Sequence, residues 1–130
     1  MRKLVLVSLC LLLSFGYCYG LSVSTIKNRM YNSRKYSSVQ RQYFAKKCIG
    51  SNISVSFKIG SIDTEKDGFM VIGGKSYKHK KIVHSIQYKV ITKRKTMPKY
   101  NIGQKISFSG TVEHIQISYG SAFVRIKAMN

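Results

Sequence analysis

From Ile53 to Ile59 apolar and polar residues alternate without a break: Ile53, Val55, Phe57 and Ile59 against Ser54, Ser56 and Lys58. A period of two with one oily face predicts a half-buried strand. The polar stretch 63–68 follows as a turn, and residues 69–72 read as a second, short strand that stops at Gly73-Gly74. Residues 81–92 form a third strand. In it Ile82, His84, Ile86, Tyr88 and Val90 share one face, and Val83 and Ile91 make the other face partly apolar, the mark of a central or strongly curved strand. A fourth begins at Gln104 with Ile106, Phe108 and Val112 inward, and Gly110 on that face permits a bend. The apolar register then shifts to Ile115 and Ile117, which predicts a bulge near Glu113 and His114. Tyr119-Gly120-Ser121 turns the chain into a last strand with Ala122, Val124, Ile126 and Ala128 inward.

Ahead of these strands the pattern is different. Residues 4–15 are almost wholly apolar behind Arg2 and Lys3, too short a run to span a bilayer, and Cys18 and Gly20 are small residues at the −3 and −1 positions. This predicts a signal peptide over residues 1–20, cleaved after Gly20, and therefore a secreted or periplasmic protein. Residues 21–36 are polar and basic with no steady period, read as a flexible arm or a weak helix. Ser38 is placed to cap a helix through Lys47 whose apolar members are Val39, Tyr43 and Phe44, and Gly50 ends it. The domain proper is residues 37–130.

Five strands bent by glycines, with one N-terminal helix, predict a mainly β fold, a small five-stranded barrel rather than a sandwich. Residues 103–112, Gly-Gln-Lys-Ile-Ser-Phe-Ser-Gly-Thr-Val, resemble the G-x-x-V-x-F-x-G-x-V pattern of OB-fold domains. Within them the segment is similar to the bacterial tRNA-anticodon-binding-like OB domains of exported proteins. The resemblance extends as strand order over residues 49–128. It implies an OB-like barrel, with one departure: such domains carry a helix between their third and fourth strands, and residues 92–103 are too short and basic for one.

Composition narrows the function. Lys and Arg number 23 against 4 Asp and Glu, a formal net charge of +19. Such an excess draws a protein to polyanions or anionic surfaces. The acids are Asp63, Glu65, Asp67 and Glu113, so paired carboxylates can come only from one turn, and His79, His84 and His114 lie on separate segments without ligand spacing. Neither catalysis, a cofactor nor a metal is expected. The Asp63-Glu65-Asp67-Gly68 run imitates the start of a calcium loop, but the twelfth position is Gly74, which has no carboxylate to give. With Cys10 and Cys18 in the signal, Cys48 is left without an intrachain partner and reads as a buried small hydrophobe.

The basic residues come in two acid-free blocks: residues 21–62 carry Lys27, Arg29, Arg34, Lys35, Arg41, Lys46, Lys47 and Lys58, and within residues 68–112 one span holds Lys75, Lys78, Lys80, Lys81, Lys89, Lys93, Arg94, Lys95 and Lys99, with Tyr77, Tyr88 and Tyr100 among them. Cations neutralise phosphates and aromatic faces stack on bases or sugars, so the twelve residues of that second span are the expected polyanion-binding site. The partner expected is nucleic acid, lipopolysaccharide, anionic lipid or glycan. The alternative is an interaction or inhibitor subunit, toxin-like or phage-borne, docking on an envelope protein.

Overall fold

The computed structural model describes residues 20–31, 35–66, 68–93 and 100–129, so the expected signal peptide lies almost entirely outside them. Two helices, α1 (Val23–Tyr31) and α2 (Ser38–Cys48), precede five strands: β1 (Asn52–Glu65), β2 (Gly68–His79), β3 (Ile82–Thr92), β4 (Lys105–Ser118) and β5 (Ser121–Ala128). The strands close into a barrel in the order β1-β2-β3-β5-β4. Only β3 and β5 run parallel. The first half of β1 pairs with β4, from Asn52↔Thr111 to Lys58↔Lys105. Its second half pairs with β2, from Lys58↔Gly74 to Glu65↔Gly68. Beyond Gly74, β2 therefore leaves β1 and continues with β3 alone.

The expected inward faces hold except at Ile82, which is exposed at the start of β3. Ile53, Val55, Phe57 and Ile59 of β1, Ile86, Tyr88 and Val90 of β3, and Val124 and Ile126 of β5 are buried together. The register of β4 against β5 shifts between Val112 and His114, where the change of apolar face called for a bulge.

Three expectations change. The second strand does not stop at Gly73-Gly74. It runs on to His79, because Gly73 is a packing residue: a Cβ there would collide with the Phe57 ring and the Lys58 carbonyl. The missing side chain makes room for Phe57, which stacks on Tyr88 (5.2 Å between ring centres) and Phe108 (5.9 Å). Secondly, residues 21–36 contribute an ordered helix, so the barrel has two N-terminal helices and not one. In α1, Ile26 and Met30, one turn apart, are fully buried. Ser22 caps the helix, its hydroxyl accepting from the Thr25 amide at 3.2 Å, and the Gly120 amide donates to the Met30 carbonyl at 3.3 Å.

The third correction concerns the face of α2. The cap is Ser37, whose hydroxyl accepts from the Gln40 amide at 3.2 Å while its own amide donates to the Gln40 side chain at 2.8 Å. Val39 and Tyr43 are exposed, 71% and 63%, and the helix buries Arg41, Ala45 and Cys48 instead. Arg41 belongs inside because its Nε donates to the Arg29 carbonyl at 2.8 Å, satisfying one of the last carbonyls of α1. Cys48 is a buried free thiol, as expected.

Candidate cationic and aromatic site at the open end of the barrel

Where β2 parts from β1, its inner face is no longer covered by a strand. Lys75, Tyr77 and His79 lie on that face in register with Ile86, His84 and Ile82 of β3. Helix α1 packs alongside. Lys27 Nζ stands 4.2 Å from the Tyr77 ring centre and Lys75 Nζ 5.6 Å. Tyr31 stacks flat on His79, 4.3 Å between centres at 4°, and meets His84 edge-on at 4.5 Å. Lys27, Asn28, Tyr31, His79, Lys80, His84 and Tyr119 border one open cleft. No carboxylate borders it among the described residues.

His84 is the buried member. Its Nδ1 lies 3.2 Å from the Ile82 carbonyl, which can only accept, so Nδ1 is the donor of that contact. Nε2 is enclosed with no hydrogen-bond partner among the described residues. The β2–β3 turn just beyond is made of Lys80 and Lys81, with φ of 48° and 68°. Two consecutive positive φ values suit a two-residue hairpin turn, but Asn-Gly is the pair that adopts them without strain. Here two lysines hold a left-handed backbone and place their charges next to each other.

The twelve expected site residues do not form one patch. Lys78, Lys80 and Lys81 share the β2–β3 tip, with Tyr77 and Lys75 behind them on β2. Lys93 follows the far end of β3, an 11-residue strand away from that tip. Lys89 is on the outer wall, opposite Ile72 and Arg125. Arg94, Lys95 and Lys99 lie outside the described residues. Tyr88 is a correction: it is fully buried inside the barrel, and burial, with Tyr77 next in importance, pushes its hydroxyl pKa well above 10. It cannot stack on a ligand. Tyr100 is half-buried, edge-on to Phe108 at 6.2 Å.

Two groupings lie outside the expected site. Lys58 and Lys105 face each other across β1 and β4, and with Lys75, Ser56 and Ser76 they line a second cleft beside Gly74. Lys27 and Tyr31 join the first cleft from α1. In both cases only strand pairing or helix packing brings the cations together, so spacing along the chain carries no signal of them.

The acids sit elsewhere. Asp63 and Glu65 are at the β1–β2 hairpin, the opposite end of β2 from Lys80, and Glu113 is engaged by Arg125 Nε at 3.2 Å. No three His, Cys, Asp or Glu side chains gather as a metal site among the described residues. The architecture defines a class: a closed five-stranded β-barrel whose strand order is compatible with an OB-like fold. Comparison with protein-family profiles, with curated proteins and with solved structures finds no match.

Proposed function

We propose that the protein is an exported, non-catalytic binding module for anionic polymers or surfaces, and that it engages them through the α1 and β2–β3 end of the barrel. The observation that carries this reading is the segregation of charge. Lys27, Lys75, Lys78, Lys80 and Lys81 surround Tyr77, Tyr31 and His79 at one end of β2, while two of the described acids are at the other end and the third is paired on the outer wall. Like charges on adjacent turn residues repel, and a fold gains nothing from holding them in a strained backbone unless something anionic meets them. OB-like barrels bind extended oligonucleotides and oligosaccharides across the face of their second and third strands, which is where Lys75 and Tyr77 lie.

The test is binding to single-stranded DNA, lipopolysaccharide and anionic vesicles, each at low and high salt. Affinity for the linear polyanions falls with salt at a log–log slope of roughly 0.7–0.9 per neutralised phosphate. Reversing Lys78, Lys80 and Lys81 to Glu lowers affinity for every anionic ligand. The same reversal at Lys46 and Lys47, on exposed positions of α2, has a smaller effect. Equal loss from both triads of measurements, or no binding to any polyanion, removes the reading and leaves docking on an envelope protein in front.

A further inference from the structure

The β2–β3 tip is not only cationic. Ile82, the first residue after the strained turn, is 49% exposed, and Val83 is 66% exposed. Val83 stands directly opposite Lys78, and Ile82 opposite His79, so the two aliphatic side chains emerge on either face of the hairpin within the ring of lysines. Tyr119, half-exposed at 50%, closes the group from the β4–β5 turn, which is held against β3 by the Ser85 amide donating to the Gly120 carbonyl at 3.1 Å. Ile82, Lys80, Lys27 and Tyr119 border the same cleft. Exposed aliphatic side chains at a hairpin tip, where neither strand packing nor turn chemistry calls for them, mark an interaction surface.

Within the proposed function, on which this inference rests, the tip distinguishes among anionic ligands. A nucleic acid or glycan offers phosphates or sulfates to the lysines, and flat rings to the aromatics, but nothing for two β-branched aliphatic side chains to enter. An anionic bilayer offers both. Headgroups meet Lys78, Lys80 and Lys81, a cationic group worth about fivefold in affinity per residue near a charged surface, and the hydrocarbon edge receives Ile82 and Val83. Lysine stems are long enough to keep their ammonium groups at headgroup level while the shorter Ile and Val side chains go deeper. No helix among the described residues is long and apolar enough to cross a membrane.

We infer that the β2–β3 hairpin tip is a bilayer-docking wedge, in which Ile82 and Val83 enter an anionic leaflet and Lys78, Lys80 and Lys81 hold the headgroups around them.

The sequence has no tryptophan, so Val83→Trp supplies a single tryptophan at the tip, excited apart from the tyrosines at the red edge of the absorption. With phosphatidylcholine vesicles containing phosphatidylglycerol, its emission shifts to the blue and is quenched by brominated acyl chains. With phosphatidylcholine alone it does neither. In the otherwise unaltered protein, Ile82→Ser with Val83→Ser lowers affinity for the anionic vesicles on the order of tenfold, since partial burial of two aliphatic side chains is lost. Val83→Ser alone, at a position that does not border the cleft, leaves affinity for a single-stranded oligonucleotide unchanged. Circular dichroism confirms that both variants are folded. An unshifted Val83→Trp emission on vesicles that bind the protein, or an equal effect of Val83→Ser on vesicles and oligonucleotide, overturns the wedge while the polyanion reading stands. Failure of the wild-type chain to bind either ligand overturns both.

Discussion

The Lys80-Lys81 turn provides a direct measure of what the tip sacrifices in stability. Both residues have positive φ, 48° and 68°. An L-residue with a side chain in this region is destabilised by roughly 1–2 kcal/mol relative to its preferred conformations. Replacing the pair with Asn-Gly, Lys80→Asn with Lys81→Gly, supplies the residues that such a turn accommodates. Glycine returns roughly 0.5–1 kcal/mol of that gain to the unfolded chain as entropy. The net expectation is stabilisation by about 1–2 kcal/mol, and each kcal/mol raises Tm by roughly 4–8 °C in a domain of about this size. The substitution also removes two positive charges, so melting is compared at high salt with a second variant, Lys80→Gln with Lys81→Gln, which loses the charges but keeps the strained side chains. Asn-Gly above Gln-Gln by about 1 kcal/mol is the expected result. Equal stabilities would refute the strain argument, because the whole gain would then be electrostatic. The stabilised Asn-Gly protein is also expected to bind anionic ligands more weakly, an exchange of function for stability.

Gly73→Ala drives a methyl group into the Phe57 ring and the Lys58 carbonyl, and with that ring already stacked on Tyr88 and Phe108 the expected loss is about 3 kcal/mol or more, read by denaturant unfolding. Tyr88→Phe removes a fully buried hydroxyl that lies beside Tyr77, and the expected loss is at most the roughly 0.5–1.5 kcal/mol of one hydrogen bond. A larger loss would mean the hydroxyl supports more than that one contact. Cys48 reacts slowly with thiol reagents in the folded protein, since burial, opposed in part by the nearby Arg29, pushes its pKa from 9 up to about 11. Its raised value means that the unfolded chain releases the proton first: the contribution to stability is complete below pH 9 and is lost as pH rises from there to about 11, which Cys48→Ala makes visible by flattening the alkaline limb of the stability curve.

The strands were legible where burial on one face is strict. Alternation placed Ile86, Tyr88 and Val90 on one side of β3, and the same alternation already argues against Tyr88 as a ligand-stacking residue. Gly73-Gly74 misled because a glycine pair signals a turn and a close approach equally well, and only the position of Phe57 distinguishes them. The buried face of α2 was hidden because it includes Arg41, whose place depends on a carbonyl twelve residues earlier. In α1, Ile26 and Met30 at helical spacing were a readable cue amid polar neighbours. As for the site, the run from Lys78 to Lys81 was visible as charge density, but Lys58, Lys105 and Lys27 join cations from other elements through pairings that no local pattern encodes.

The order of the barrel has a consequence for how the chain reaches it. Closure joins Asn52 to Thr111, and α1 is tied to Gly120 through Met30, so the first elements made depend on nearly the last. Such distant pairings form slowly, because a long loop must be ordered before any contact rewards it. Until β4 and β5 arrive, β1 has one unpaired edge and the apolar faces of both helices lack their partners. Open edges of this kind are where chains join one another. The large excess of Lys and Arg over Asp and Glu opposes that encounter between copies, with or without residues 1–20. Repulsion between copies thus acts on the unfinished chain before any finished surface exists, keeping half-built barrels apart while they close.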